Sequence, residues 1–312
     1  MIRRRTTFRF LAAVTVGSLT ISACGGLGSE PTQSAPSAAG SQVNHELADQ
    51  LPADIRKSGE ITIATPYGNP PSIFAGPDGR PEGAAYDLGQ EIAAILGVKA
   101  VWREVAFPGV IPGLQAGKFD LSMGVIGDTP ARQPLLDFVD LMAGQSNLLV
   151  KAGNPEKLSS VEKACGMTIG AMAGGFEVAQ LHTASDACAT QGKGDITIKE
   201  YPSTPDGQAQ LQAGRIDGYF APYIVVGYTA RTAAGGSAFE LTDAAYPDWP
   251  WAIAMAKNRG TMSHAVQGAL AELVSSGVYR KVLDKYGIGD AALTPAQVTI
   301  NGAGTEAFPL DK

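Results

Sequence analysis

Residues 83–97, GAAYDLGQEIAAILG, have the apolar spacing of an α-helix. Leu88, Ile92 and Ile95 recur at intervals of three or four residues, so they share one face of that helix. The flanking runs that predict strands are residues 60–64 and 100–105. A helix with one apolar face between two strands indicates α/β layers, because that face must be buried against a neighbouring element.

The same alternation of strands and helices continues along the chain. Further predicted strands are residues 119–125, 168–172, 196–201, 216–220 and 252–256. Further predicted helices are residues 109–116, 176–182, 207–213, 262–275 and 279–286. Two such runs predict an α/β protein with two lobes. The length of 312 residues agrees, because single cores stop growing at roughly 250–300 residues.

The composition excludes several classes of protein. Hydrophobic residues make up 45% of the chain and charged residues 17%, which excludes a wholly disordered chain, a coiled coil and a polytopic membrane protein. The formal net charge is −6, and beyond residue 23 the chain holds 20 basic and 30 acidic residues. Such a body repels phosphate backbones, so no nucleic-acid partner is expected.

The N-terminus has the organisation of an export signal. A basic segment, residues 1–9, precedes an apolar segment, residues 10–21, that is too short to span a bilayer comfortably. The sequence ISAC then ends at Cys24 and resembles the lipobox of bacterial lipoproteins. The resemblance implies that residues 1–23 are a signal peptide and that Cys24 receives acyl chains such as palmitate, which anchor the protein to the extracytoplasmic face of the plasma membrane. The alternative is an ordinary cleavage site with an incidental cysteine, and the export route is open.

Residues 24–45 predict a flexible tether. They are mostly Gly, Ser, Ala, Pro and Gln, with almost no large apolar side chain. Such a segment buries too little surface to offset its chain entropy. The folded part is therefore expected to begin near residue 46.

Two cysteines remain beyond the lipobox, Cys165 and Cys188. In an oxidising compartment they predict a disulfide that closes a loop of about 24 residues and stabilises the fold by about 3.5 kcal/mol. Two buried free thiols or a metal pair are the alternatives. No histidine lies at a zinc-ligand spacing from either cysteine, so no metal site is expected.

A succession of motifs resembles one family. The N-terminal motifs are GAAYDLGQEIAAILG (83–97), FPGVIPGLQAGKFD (107–120), and TPAR (129–132) with LDF (136–138). The later motifs are LQAGRID (211–217), AIAMAK (252–257) and GVYRKVLDKYG (277–287). In this order they resemble the polar-amino-acid family of bacterial extracellular solute-binding proteins, over roughly residues 59–288.

The resemblance implies a periplasmic-binding-protein-like fold of two α/β lobes. Two crossover hinge strands, near residues 145–151 and 246–256, would join the lobes, and a ligand would bind in the cleft between them. Lobe 1 is expected to comprise residues 46–147 and 250–312. Lobe 2 is expected to comprise residues 148–249.

Arg132 is the strongest candidate for a ligand-binding residue. It stands three residues after Thr129, where a polar turn meets a predicted helix start. A guanidinium there suits a bidentate contact with a carboxylate, and in the family the matching arginine holds the ligand's α-carboxylate. An ion pair with Asp128 or Asp137 is the alternative.

The neighbouring positions Val125 and Gly127 depart from the family pattern. Matching positions often carry hydroxyl groups that line the carboxylate site. Here only backbone groups are available, which leaves more of the binding to Arg132.

Pro222 is the larger departure. The family usually has an aspartate there, five residues beyond the position of Asp217, and that aspartate accepts the ligand's α-ammonium. A proline cannot pair with a cation, and an unpaired buried cation is costly. A misalignment by a residue or two is the alternative, but no acid occurs between Asp217 and Glu240. The sequence therefore predicts a carboxylated ligand with an apolar or aromatic body and no strict requirement for a free α-amine.

Other ligand-binding candidates come from matching positions or from aromatic residues expected near the lobe edges. They are Tyr67, Asn69, Phe107, Gly175, Phe176, Tyr223 and Trp249. At least half of the aromatic candidates are expected to pack in the core, as such residues usually do.

Enzymatic motifs are absent from the sequence. It has no nucleophile elbow, no phosphate loop and no dinucleotide fingerprint, so no catalytic residue and no cofactor is expected. The rival is a lyase similar to cyclohexadienyl dehydratases, which resemble the same family and need a general acid. Glu177 is the best-placed acid, although an acid in a first helical turn is usually a simple dipole partner.

The sequence thus predicts a monomeric, lipid-anchored, substrate-binding component of an ABC importer. Its expected partners are a small-molecule ligand, the permease subunits of the importer and the membrane that holds the anchor.

Overall fold

A computed structural model of the protein describes residues 42–309, apart from the side chains of Pro247 and Asp248. The predicted signal peptide, Cys24 and the tether up to residue 41 lie outside these residues. Within the described part, no helix is long and apolar enough to cross a bilayer. The first helix begins at His45 and is capped by the side chain of Asn44, which accepts a hydrogen bond from the Leu47 N–H at 3.2 Å.

Helices and strands alternate along the described residues. The helices are α1 (His45–Ala48), α2 (Ala53–Ser58), α3 (Ala84–Ile95), α4 (Val110–Gln115), α5 (Phe176–Thr190), α6 (Thr204–Gln212), α7 (Tyr223–Thr232), α8 (Met262–Ser275) and α9 (Val278–Lys285). The strands are β1 (Glu60–Thr65), β2 (Gly68–Asn69), β3 (Ile73–Ala75), β4 (Pro81–Glu82), β5 (Lys99–Glu104), β6 (Leu121–Gly127), β7 (Leu136–Lys151), β8 (Thr168–Met172), β9 (Thr197–Tyr201), β10 (Gly218–Pro222) and β11 (Phe239–Ala256).

Most strands of the described residues form one mixed sheet in the order β5-β1-β6-β11-β7-β10-β8-β9. The pairs β5-β1-β6 and β10-β8-β9 are parallel, whereas β7 and β11 pair antiparallel to each other and to their outer neighbours. Strands β2, β3 and β4 form a separate small sheet. The sheet thus has a parallel part at each end, β5-β1-β6 and β10-β8-β9, and the antiparallel strands β11 and β7 lie between them.

Strands β7 and β11 cross between the two lobes. The first half of β7 pairs with the end of β11, and its last residues pair with β10. The pairing of β7 with β11 shifts register between Leu241 and Ala245 and again between Asp248 and Trp251. The fold is therefore two-lobed with two crossover strands. The boundaries predicted at residues 147/148 and 249/250 lie inside these strands and stay predictions.

Each lobe has its own hydrophobic core. In lobe 1, Leu88 and Ile92 of α3 are buried with Ile63 of β1. In lobe 2, Ile169 of β8 is buried with Leu181 of α5. The regularly spaced apolar residues of 83–97 therefore lie on the buried side of α3.

Cys165 and Cys188 form the predicted disulfide, with 5.5 Å between their Cα atoms. The bond connects the segment before β8 to the last turns of α5. It excludes the two alternatives, free thiols and a metal pair.

Helix α7 was not predicted from the sequence. It begins at Tyr223, directly after β10, and carries the β-branched residues Ile224, Val225 and Val226. Such residues lower helix propensity. Burial of Ile224 and Val225 in the lobe 1 core compensates, and no sequence pattern shows that contact. Helix α5 also runs further than predicted, to Thr190 instead of residue 182.

Candidate functional site

Arg132 lies in a turn that follows β6. Its backbone N–H donates to the Thr129 carbonyl at 2.9 Å and contacts the Thr129 hydroxyl at 3.3 Å. The predicted helix start is a turn instead. Pro134 contributes to this difference because it has no N–H with which to continue a helical hydrogen-bond pattern.

The guanidinium of Arg132 bridges the two lobes. Nη1 donates to the carbonyl of Gly127 at 3.1 Å, and Nη2 donates to the carbonyl of Gly174 at 3.1 Å. Gly127 ends β6 in lobe 1, whereas Gly174 follows β8 in lobe 2. Burial lowers the pKa of Arg132 below its usual value, and the negative charge of Glu177 opposes that effect.

The acids offered as alternative partners of Arg132 are engaged elsewhere. Asp137 accepts a hydrogen bond from Lys257 at 2.8 Å. Asp128 accepts one from the side chain of Gln133 at 3.0 Å. The Arg132 guanidinium thus donates to backbone carbonyls and does not form the ion pair with Asp128 or Asp137 that the sequence allowed.

Aromatic rings surround the guanidinium. The Phe107 ring centroid lies 5.6 Å from the Arg132 Cζ, within the range of a cation–π contact. The rings of Phe176 and Trp251 are tilted against each other at 5.3 Å. A Cβ at Gly127 would lie 3.4 Å from the Phe176 ring and 3.6 Å from the Arg132 Nη1. These residues therefore form one cluster at the junction of the lobes, hereafter the arginine cluster.

Glu177 is a buried acid beside this cluster. It lies in the first turn of α5, next to Phe176, and is only 3% exposed. The hydroxyl of Ser146 donates to its Oε1 at 3.4 Å. Ser146 is fully buried on β7 and pairs in register with Pro222, the last residue of β10. The sequence indicated Glu177 only as a possible general acid and gave no sign of Ser146, whose burial depends on the pairing of distant strands.

A wider opening of about 520 Å³ lies between the lobes near Tyr67. Glu104 lines it from lobe 1 and Ser203 from lobe 2. Burial, together with the charge of Glu104, raises the pKa of Tyr67 to about 12, so its hydroxyl stays protonated at neutral pH.

Asn69 joins the two lobes beside this opening. Its side-chain oxygen accepts a hydrogen bond from the Thr204 hydroxyl at 2.9 Å, and both residues are buried. The contact crosses from β2 in lobe 1 to α6 in lobe 2.

The other candidates are spread over different environments. Val125 packs in the lobe 1 core, Gly175 precedes α5, Trp249 is half-buried on β11, and Tyr223 lines a smaller cavity. That cavity measures about 180 Å³ and also contains Gln145, Arg231 and Asp290. The structure therefore brings Phe107, Gly127, Thr129, Arg132 and Phe176 together, but not Val125 or Tyr223. Their roles in binding stay predictions. Among residues 42–309, no three His, Cys, Asp or Glu side chains form a group that could hold a metal ion.

Comparison with known proteins decides the family. The sequence profile of the bacterial extracellular solute-binding proteins, family 3, matches residues 61–289. The chain belongs to this family. The match confirms the resemblance read from the motifs, and the family's extracellular location agrees with the predicted export signal.

Relatives of this family 3 protein include amino-acid receptors. It is 26% identical over 255 residues to the arginine-binding protein ArgT of Corynebacterium glutamicum, covering 81% of this chain and 82% of that protein. A solved structure of an ancestral arginine-binding protein bound to arginine matches with a TM-score of 0.66 at 26% identity, covering 73% of this chain and 98% of the other. An ancestral amino acid-binding protein, a precursor of cyclohexadienyl dehydratase, matches with a TM-score of 0.64 at 25% identity, covering 75% and 97%.

Proposed function

We propose that this chain is the substrate-binding component of an ABC importer and that its ligand is a small, amino-acid-like carboxylate. Arg132 binds the carboxylate. The observation that carries the proposal is the position of this guanidinium, held between a lobe 1 carbonyl and a lobe 2 carbonyl. A carboxylate bound there contacts both lobes, which is the requirement for a ligand that closes a cleft.

The donor chemistry supports an anionic ligand. A guanidinium has five N–H groups in a fixed fork and cannot accept a hydrogen bond. Within residues 42–309, its hydrogen bonds go to the Gly127 and Gly174 carbonyls, which are neutral. A carboxylate would provide the opposite charge that a half-buried cation lacks in these two contacts, and bidentate pairs of this kind are strong.

The test is calorimetric titration of carboxylated ligands. Amino acids are compared with their deaminated and N-acylated counterparts on the wild type and on Arg132→Ala. Breaking one side of a buried charge pair typically costs about 2–5 kcal/mol, so we expect Arg132→Ala to weaken binding roughly 30- to 5,000-fold. Arg280→Ala is the matched control, because Arg280 is exposed and pairs with Asp284 on the surface of α9. Equal affinity of Arg132→Ala and the wild type for every carboxylate would overturn the assignment.

A lyase is the second candidate. Burial of Glu177 beside Arg132 favours it, because a general acid next to a carboxylate-binding arginine is what a dehydratase acting on prephenate needs. The same protein samples are therefore assayed for conversion of prephenate to phenylpyruvate. Turnover of prephenate by the wild type that disappears in Glu177→Gln would show that the chain is a lyase and would overturn the receptor assignment.

We also propose that Cys24 carries the lipid anchor and that the importer's permease subunits and the anchoring membrane are the chain's partners. The support is the lipobox-like ISAC sequence at residues 21–24 and the polar segment that follows it.

A further inference from the structure

The last part of the described chain lies beyond the family match, which ends at residue 289. Residues 298–303 of this part run along the lobe 1 half of β7, where Ile300 forms an antiparallel bridge with Val139. These six residues are hereafter the C-terminal strap. The strap thus adds a backbone contact to β7 from a segment that the matched family region does not include.

The strap ends on the turn that carries Arg132. The Ala303 N–H donates to Oδ2 of Asp128 at 3.0 Å, and the Ala303 carbonyl accepts from Nε2 of Gln133 at 3.1 Å. Nε2 of Gln133 also donates to Oδ1 of Asp128 at 3.0 Å. Asp128 and Gln133 lie on either side of Thr129 and Arg132 in the sequence. One residue of the strap therefore binds both ends of the turn.

Asp140 of β7 fixes the strap a few residues earlier. Its N–H donates to the Thr299 carbonyl at 2.9 Å, and its Oδ2 accepts from the Thr299 hydroxyl at 2.7 Å. Gly302 is buried between these groups, and a Cβ there would overlap both the Asp140 carboxylate and the Thr299 hydroxyl. The strap therefore fits closely against the buried acids, and residue 302 must be a glycine for that fit.

The turn has few backbone hydrogen bonds of its own. The N–H groups of Arg132 and Gln133 both donate to the Thr129 carbonyl, at 2.9 and 3.0 Å. Those of Leu135 and Leu136 both donate to the Arg132 carbonyl, at 2.8 and 3.1 Å. Short helical turns are marginally stable by themselves in water. The contacts with the strap therefore contribute directly to how long the turn keeps this shape.

We propose that the C-terminal strap pre-organises the Arg132 turn for the carboxylate of the ligand, with Asp128 and Gln133 as positioning residues. The inference rests on the proposed function, because it needs a carboxylate at Arg132. A guanidinium that is held in place before the ligand arrives loses less conformational freedom on binding. Without the strap the ligand must supply that ordering, and its affinity falls accordingly.

The variants separate a loss at the turn from a general loss of stability. Gln133→Ala removes the side chain that joins the turn to the strap. Gly302→Ala displaces the strap, because the new Cβ overlaps the Asp140 carboxylate. Gln267→Ala is the matched control. Nε2 of Gln267 donates to the Val298 carbonyl at 2.9 Å and so anchors the same strap at its other end.

Two measurements are made on the full chain. Hydrogen exchange of the free protein, followed by mass spectrometry, reports how often the backbone amides of residues 132–136 open. Calorimetric titration reports the affinity for carboxylates, with L-arginine, L-glutamine, L-phenylalanine and their Nα-acetyl derivatives as probes. The melting temperature of each variant shows whether the control loses comparable stability.

We expect Gln133→Ala to speed exchange of these amides and to weaken the probes that bind the wild type. Both changes should be roughly 2- to 13-fold, the equivalent of the about 0.5–1.5 kcal/mol that a hydrogen bond contributes net. Gly302→Ala should change both quantities at least as much. Gln267→Ala should lower the melting temperature as Gln133→Ala does but change neither quantity. If Gly302→Ala does not fold, Gln133→Ala decides.

An unchanged exchange rate or an unchanged affinity in Gln133→Ala would overturn the inference. Equal changes in Gln133→Ala and Gln267→Ala would overturn it as well, because the strap would then act only on overall stability. In these cases binding that still depends on Arg132 leaves the proposed function intact. Failure of every probe to bind the wild type would overturn both.

Discussion

Asp128 and Asp140 are two fully buried acids beside the turn that carries Arg132. Asp128 accepts a hydrogen bond from the Ala303 N–H at 3.0 Å, and Asp140 accepts one from the Thr299 hydroxyl at 2.7 Å. Both donors belong to the C-terminal segment. The two carboxyls thus fasten that segment to the edge of the proposed binding site.

The pH dependence of stability follows from this pair. Burial raises the pKa of Asp140 to about 8, the hydrogen bond from Thr299 opposes the rise, and the charge of Asp128 adds to it. The pKa in the unfolded chain is about 3.9, so between these two values the folded state holds a proton that the unfolded state releases. The contribution of protonated Asp140 to the free energy of unfolding is fully present below about pH 4. It is lost as the pH rises from there through about 8.

We predict that Asp140→Asn flattens this dependence. In the wild type the free energy of unfolding should fall by up to about 1.4 kcal/mol per pH unit between pH 5 and 8 because of Asp140. An asparagine does not titrate, so the fall should shrink by that amount. Urea unfolding at several pH values measures it, with the exposed Asp195→Asn as control. An equal slope in wild type and Asp140→Asn would show that Asp140 is ionised in the folded state.

At the scale of elements, the disulfide restrains α5 at the end opposite to Phe176 and Glu177. Cys188 lies near the C-terminal end of α5 and is bonded to Cys165 just before β8. Glu177 and Phe176 lie at the other end of the helix. The bond therefore restrains the helix that carries Phe176 and Glu177 without contacting the arginine cluster.

Reduction should lower stability by about 3.5 kcal/mol, because cleavage releases a loop of about 24 residues in the unfolded chain. A change of 1 kcal/mol shifts the Tm by about 2–4 °C in chains of this size, so we expect a loss of roughly 7–14 °C. Calorimetric melting with and without a reductant measures it. A Cys165→Ser/Cys188→Ser double variant should melt alike in both conditions. Two titratable thiols in protein taken directly from the cell envelope would contradict the bond.

At the scale of the whole molecule, the two lobes make few polar contacts across the cleft that involve their site residues. The contacts identified among the described residues include Thr204 with Asn69, Arg132 with Gly174 and Ser146 with Glu177. A hydrogen bond contributes about 0.5–1.5 kcal/mol net, and one to a charged group about 1.5–3 kcal/mol. These contacts therefore add little to the free energy needed to separate the lobes about β7 and β11, as the proposed binding cleft requires.

On the proposed function, the position of the molecule in the cell depends on Cys24. We predict that Cys24→Ala moves the protein from the membrane fraction to the soluble extracytoplasmic fraction and leaves its melting temperature unchanged, because both hydrophobic cores lie within residues 42–309. Fractionation followed by immunoblotting measures the shift. The same distribution before and after the substitution would show that another feature holds the chain at the membrane.

Local patterns predicted much of the fold. Strand β1 and helix α3 are predicted by patterns of apolar residues that depend only on neighbouring positions, and the succession of motifs along the chain indicates the family. The crossing strands were placed only in part, since residues 246–256 account for just the second half of β11. Helix α7 was missed because burial against lobe 1 overrides the weak helix propensity of its β-branched residues.

The sequence by itself determined that the chain is an α/β protein with two lobes, a candidate anion-binding arginine and a pair of cysteines. Only the tertiary structure decided that the Arg132 guanidinium contacts the carbonyl of Gly174, and that Glu177 lies beside Ser146 opposite Pro222. Periodicity records which face of an element is buried, but not which distant residue it meets. The distance along the chain from Ser146 to Pro222 is closed only when β7 and β10 pair, and that pairing brings an acid from α5 to the end of a strand that has none.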